Sequence, residues 1–143
     1  MNHSDFVGTF TLTFAEYRYA DGEVKAIYGN DPIGMLMYDA AGHVAIQIMR
    51  RDRPNFAKND RLGGTPEETK SAFDGYLAYF GTYTVDEEKH TVTHHLQGAL
   101  LPNWVDGDQA RFFELTGNRL TLQTPPLMIG NREAVGHLIW QKI

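Results

Sequence analysis

The chain contains no cysteine, which removes disulfides and thiolate zinc sites while leaving the redox compartment open. Its 143 residues hold no apolar run approaching the ~20 needed for a helix to cross a bilayer. Serine occurs only at Ser4 and Ser71, and neither stands in a GxSxG elbow. HExxH and nucleotide-binding glycine loops are also missing. Hydrolysis by a serine nucleophile therefore has no support, and no metal site or cofactor is implied. Basic residues are outnumbered, 13 Lys and Arg against 18 Asp and Glu, for a net charge of −5. That balance argues against nucleic acid and against an anionic membrane surface as partner. The opening MNHSDFVGTF lacks a basic and an apolar leader region, so no secretory signal is expected. The expectation is a soluble cytoplasmic protein forming a single domain, 1–143; a homodimer is compatible with it.

What the chain does contain is short β-like runs separated by turn signals. FVGTFTLTFAEYRY alternates apolar and polar residues from Phe6, the pattern of a long half-buried strand. IGMLMYD and HVAIQIMR flank AAG, GTYTVD and TVTHHLQGAL flank EEKH, and DQARFFEL and RLTLQT flank TGN. With AVGHLIWQKI at the end, this spacing predicts eight or nine strands in a sandwich or barrel. One stretch, TPEETKSAFDGYLAYF, reads as helix. Thr65 is the N-cap with Glu68 at capping-box spacing, and Pro66 occupies the first turn. Phe73, Leu77 and Phe80 then form a stripe at i, i+4, i+7, with Tyr76 beside it. The basic, turn-rich segment before the helix, with RRDRPNF in it, reads as a solvated loop.

Hairpin parity selects an inner face. An even loop at Glu87 to His90 puts Tyr83 and Val85 with Val92, His94 and Leu96, so His94 points in and His95 out. The same rule places Phe113 and Arg111 with Leu120, Leu122 and Thr124. In the first hairpin Met35, Met37, Val44, Ile46 and Ile48 form the apolar face. Leu36, Tyr38, Gln47 and Met49 share a second face that is not clearly polar, which leaves a hairpin covered on both sides open.

The segments VGTF, DPIGMLMYDAAGH, IMRRDRPNF, YFGTYTVD, TVTHH, LPNW and LTLQTPP are similar, in that order, to the bacterial and fungal lipocalin-like domain family. Phe10 stands where the entry motif of such barrels usually has tryptophan. The resemblance implies an all-β fold, a closed antiparallel lipocalin-like β-barrel of eight to nine strands with one amphipathic helix. It also implies a small-molecule cavity and, for some members, an accessory role in metabolism of cyclic or polyketide-like compounds.

Within such a barrel, His94 either moves a proton or holds a ligand oxygen, or is a core histidine bonded to a hydroxyl. Only a third histidine such as His137 could complete a metal site. Arg111 on an apolar face needs a partner, either a ligand oxygen or an internal acid. Asn103 and Trp104, on the loop after the His94 strand, cap a flat ligand or close the barrel end. Tyr76 and Tyr79 on the helix, and Tyr83 and Phe113 on strands, complete the candidate lining. The function expected is binding of a hydrophobic, aromatic or polycyclic small molecule. The alternative is a cofactor-free isomerase or cyclase of secondary metabolism, with His94 as its acid and base.

Overall fold

The structure is a computed structural model that describes residues 3–143. After a 3-10 helix, His3–Phe6, the chain forms β1 Gly8–Tyr19, β2 Val24–Ala26, β3 Ile33–Tyr38 and β4 His43–Met49. Helix α1, Pro66–Asp74, precedes β5 Tyr76–Asp86 and β6 Thr91–Ala99. A second 3-10 helix, Pro102–Trp104, leads to β7 Asp108–Thr116, β8 Arg119–Gln123, β9 Leu127–Ile129 and β10 Arg132–Lys142. Strands β1, β3, β4, β5, β6, β7, β8 and β10 pair in that order, and β10 returns to β1, closing an eight-stranded antiparallel barrel. The two remaining strands extend one end of it, β2 on Glu16 to Arg18 of β1 and β9 on Arg132 to Ala134 of β10. No helix among the described residues is long and apolar enough to cross a membrane.

Register follows loop length, as side-chain alternation requires. The turn Glu87 to His90 and the Gly117-Asn118 turn both hold an even number of residues. Tyr83 therefore faces His94 and Phe113 faces Leu122 across their hairpins, as the sequence predicts. The first hairpin departs from expectation. Asp39 and His43 pair around a three-residue loop that closes on Gly42 at φ 95, a conformation suited to glycine. An odd loop reverses the parity, so Leu36 faces Ile46 and Tyr38 faces Val44 inside the barrel. Met35 and Met37 point outward instead of lining the apolar face. Strand β1 changes parity as well, at a bulge between Leu12 and Phe14, so Phe10 and Leu12 face in while Phe14 is exposed.

Helix α1 starts where the capping signals put it. Glu68 N donates to Thr65 Oγ1 at 3.2 Å, and Glu68 Oε1 accepts from Thr65 N at 2.8 Å. The end was misplaced by sequence: the helix stops at Asp74 and Gly75 turns the chain into β5. Tyr76 and Tyr79 thus lie on a strand, not on a helix. Pairing along β4, from Met49↔Tyr76 to His43↔Thr82, outweighs the helical stripe, and this aromatic-rich run fits a half-buried pleated surface well. A β-bulge where β5 meets β6 brings Gly81 so near that a Cβ would stand 1.9 Å from the His95 carbonyl oxygen. Only glycine fits there.

The interior divides along the barrel axis. At the end carrying the three short hairpin turns, Phe6 from the first 3-10 helix plugs the barrel. It packs edge-on against Phe113 and Tyr38 at centroid distances of 4.8 and 5.6 Å. Phe10, Tyr83 and Val92 fill the same end and are buried. The other end, rimmed by β2, β9, α1 and the second 3-10 helix, is hollow.

Candidate functional site

Inside the hollow end lies a cavity of about 70 Å³, walled by aliphatic and aromatic side chains such as Ile46, Ile48, Leu122, Leu138 and Trp140. Outside it opens a funnel of about 520 Å³ whose rim includes Phe73 and Asp74 of α1 and Leu100 and Leu101 after β6. Tyr17, Ile27, Tyr28, Leu77, Trp104 and Ile129 border both spaces and form the neck between them.

Arg111 is the one charged residue of the inner wall. Its Nη1 donates to the adjacent Ala110 carbonyl at 2.9 Å, and both Nη atoms reach Gln109 Oε1 only at 3.4 Å. It makes no ion pair with any carboxylate of the described residues. A half-buried guanidinium on an apolar wall without an internal acid is a costly arrangement for packing alone. Trp140 is fully buried, lines the same space, and its indole N–H has no partner among the described residues.

His94 sits one layer below. It is fully buried, with Nε2 at 2.7 Å from the Tyr38 hydroxyl and Nδ1 at 2.5 Å from the Tyr79 hydroxyl. Burial foremost, then the charge of Arg111 and the neighbouring His95, pushes its pKa down to about 3. The imidazole is therefore neutral at physiological pH. Burial raises the Tyr38 and Tyr79 phenols, against the opposing pull of Arg111, so both stay protonated.

The candidates from sequence separate in this frame. Arg111, Tyr79 and Trp104 come together around the cavity. His94 faces inward as expected, but both ring nitrogens are spent on protein phenols and it is not part of the cavity wall. This is the core-histidine reading with two hydroxyl partners. Tyr83 and Phe113 are corrected to the closed end: the Tyr83 hydroxyl donates to the Asp39 carbonyl at 3.1 Å, and Phe113 stacks on His90 at 5.6 Å. Asn103 is exposed on the second 3-10 helix, outside both spaces. Tyr76 borders the funnel from the outer face of β5, where its hydroxyl bonds Gln47 and Arg53 lies over its ring at 5.0 Å.

His95 points away from the interior and bridges Thr84 at 3.0 Å and Asp108 at 2.8 Å. His137 is also outside, beside Phe14. The arginines of RRDRPNF are used within the chain: Arg50 pairs with Asp52, Arg51 with Asp31, and Arg53 bonds the Ala72 carbonyl. Sequence reasoning missed Tyr38, Trp140 and the neck tyrosines Tyr17 and Tyr28, and put Thr124 on the inner face without counting it as lining. The alternation Ala134, Gly136, Leu138, Trp140 carried a usable signal for Trp140. Tyr28 had none, because it lies in an irregular segment with φ 58.

Residues 7–143 match the family model of the lipocalin-like domain. The 4'-hydroxy-3'-methoxypropiophenone carrier protein ppsC of Aspergillus oryzae (strain ATCC 42149 / RIB 40) is 34% identical over 107 residues, 70% of this chain and 96% of that protein. A closed antiparallel barrel, hollow at one end and matched by that model over nearly its whole length, leads to one assignment: the chain belongs to the lipocalin-like domain family.

Proposed function

We propose that this protein binds and carries a small, mostly apolar aromatic molecule in the hollow end of its barrel. The ligand enters by the funnel, its ring packs against the neck and the aliphatic wall, and Arg111 orients its polar end. The observation that carries this reading is Arg111 itself, a cation in an apolar cavity with no acid to balance it. The relative's printed role as carrier of an aryl ketone supports the aromatic class. An engineered apolar cavity of roughly 150 Å³ takes up benzene. An inner space of about 70 Å³ therefore favours a single ring reaching out through the neck over a compact polycycle held wholly inside. The isomerase or cyclase alternative has no observation in its favour, since His94 is shielded from the cavity by Tyr79.

Both tryptophans of the chain, Trp104 and Trp140, line the cavity, so intrinsic fluorescence reports its occupancy. Titration with 4'-hydroxy-3'-methoxypropiophenone should change that emission saturably. Arg111→Met should weaken binding roughly 10- to 100-fold, the worth of a hydrogen bond to a charged group. Equal affinity of wild type and Arg111→Met would remove Arg111 from the site, and no saturable response would remove the carrier reading.

A further inference from the structure

The chain Tyr38–His94–Tyr79 fixes where its protons lie, and that determines what Tyr79 offers to a ligand. A neutral imidazole has one N–H and one bare nitrogen. The Tyr38 hydroxyl is buried at the closed end among Phe6, Phe10 and Tyr83, and its one hydrogen-bond partner is His94 Nε2. If Nε2 carried the hydrogen, the Tyr38 O–H would be left buried with no acceptor, which is unfavourable. Tyr38 therefore donates to a bare Nε2, and the imidazole hydrogen is on Nδ1. Nδ1–H then donates to the Tyr79 oxygen. The hydroxyl hydrogen of Tyr79 has no protein acceptor left, and Tyr79, only 4% exposed, lines the cavity.

The rest of the inner wall has the same bias. Arg111 supplies N–H groups, and the Trp140 N–H is buried without a partner. Thr124 Oγ1 already accepts the Gly136 N–H at 2.8 Å, which leaves its hydrogen as the group to offer. Among the described residues no carboxylate or carboxamide side chain lines the cavity. Arg111 and Trp140 can only donate, and Thr124 and Tyr79 each have an oxygen that already accepts, so the inner wall is biased toward donors.

We infer that the inner cavity selects ligands presenting an acceptor-only oxygen, a ketone carbonyl or a carboxylate, to the Tyr79 hydroxyl and the Arg111 guanidinium. This rests on the aromatic-carrier reading above and narrows it to aryl carbonyl compounds, inserted oxygen first. A ligand whose inner end is purely hydrocarbon leaves these donors unpaired, and their desolvation counts against it. The bare Nε2 and protonated Nδ1 make His94 a positioning residue: it holds Tyr79 as a donor without touching the ligand.

The test titrates wild type, Tyr79→Phe and Arg111→Met with propiophenone, benzoate and n-propylbenzene, and reads the His94 tautomer in the free wild-type protein by ¹⁵N NMR. Propiophenone should bind wild type at least tenfold more tightly than n-propylbenzene. Tyr79→Phe should reduce that preference severalfold while leaving n-propylbenzene unchanged, and an undiminished preference would remove Tyr79 as a donor to the ligand. Arg111→Met should weaken both propiophenone and benzoate, benzoate more because it carries a full charge, and unchanged binding of both would remove Arg111 as a donor to the ligand. The NMR spectrum should show hydrogen on Nδ1 and none on Nε2. Equal binding of propiophenone and n-propylbenzene to wild type overturns the inference and leaves the aromatic carrier standing. Failure of all three to bind overturns the carrier reading and the inference with it. The opposite tautomer overturns the donor assignment of Tyr79 without any variant being made.

Discussion

The two ends of this barrel are built from the same strands and do opposite things. At the closed end the connections are short turns, and aromatic rings meet edge to face at spacings that leave no usable space. At the hollow end the connections are long, α1 and two extra strands rim the opening, and the neck residues Tyr17, Tyr28, Leu77 and Trp104 are only partly buried. Stability is concentrated where the chain turns tightly, and binding is placed where it does not. This is the usual division between scaffold and functional loops, compressed into one barrel about as long as its strands.

That contrast can be broken most directly by equal truncations at the two ends. Phe10 is fully buried in the closed end, and Phe10→Ala should destabilise by about 3–5 kcal/mol, a large share of the stability of an ordinary domain. Ligand affinity of the fraction that folds should hardly change. Leu77 is half-buried at the neck and already borders open space. Leu77→Ala should cost only about 1–2 kcal/mol, since little new cavity is created, yet weaken binding measurably. Urea unfolding and fluorescence titration on the two variants give both numbers. Equal stability losses would mean that the ends are not energetically distinct.

His94 sits at the boundary between the ends and gives the next largest effect. Its folded pKa, about 3, lies below the ordinary imidazole value, so the unfolded chain takes up a proton that the folded one refuses. Its contribution is complete above pH ~6.5 and is lost as pH falls toward 3. Between pH 6.5 and 4.5 the loss should come to about 2 kcal/mol, because the slope reaches its full ~1.36 kcal/mol per pH unit only well below 6.5. Carboxylates held low by their partners, Asp39 and Glu68 among them, act mainly below that window. His137 is also lowered by burial but is far more open to solvent, so its share is smaller. Urea denaturation at the two pH values should show the loss in wild type and most of it gone in His94→Gln. A wild-type stability that stays flat across this window would place His94 in water.

How much of this was visible in the sequence depends on which physical rule each residue obeys. An all-strand pattern, the α1 start and the inward aim of His94 and Arg111 follow from alternation, turn chemistry and even loops, all of them local. These rules leave sandwich and barrel open, and the family resemblance points to the closed barrel. The end of α1 was not legible, because GYLAYF carries helical spacing and strand composition at once, and only pairing with β4 decides between them. The hollow end was misread for a similar reason. Tyr83 and Phe113 share an inner face with His94 and Arg111, but whether an inward residue meets cavity or plug depends on its height along the barrel. That height is set by Phe6, which the alternation pattern reads as part of a strand rather than as a stopper.

The smallest expected effect tests the assumption under the whole comparison, namely which residues are inside. Even-loop parity puts Met37 in the core, while the three-residue turn closing on Gly42 puts it outside, paired with Thr9 and Ala45. A lysine forced into the interior in place of Met37 would be an unpaired buried charge and should unfold the protein. On the outer face, at 40% exposure, Met37→Lys should change stability by no more than about 0.5 kcal/mol. The partner variant Leu36→Lys, one residue away and fully buried, should fail to fold. Thermal melts of the pair therefore read the direction of β3, and with it whether Tyr38 reaches His94. Reversal of the two outcomes would detach Tyr38 from the histidine and dissolve the boundary between the closed and hollow halves.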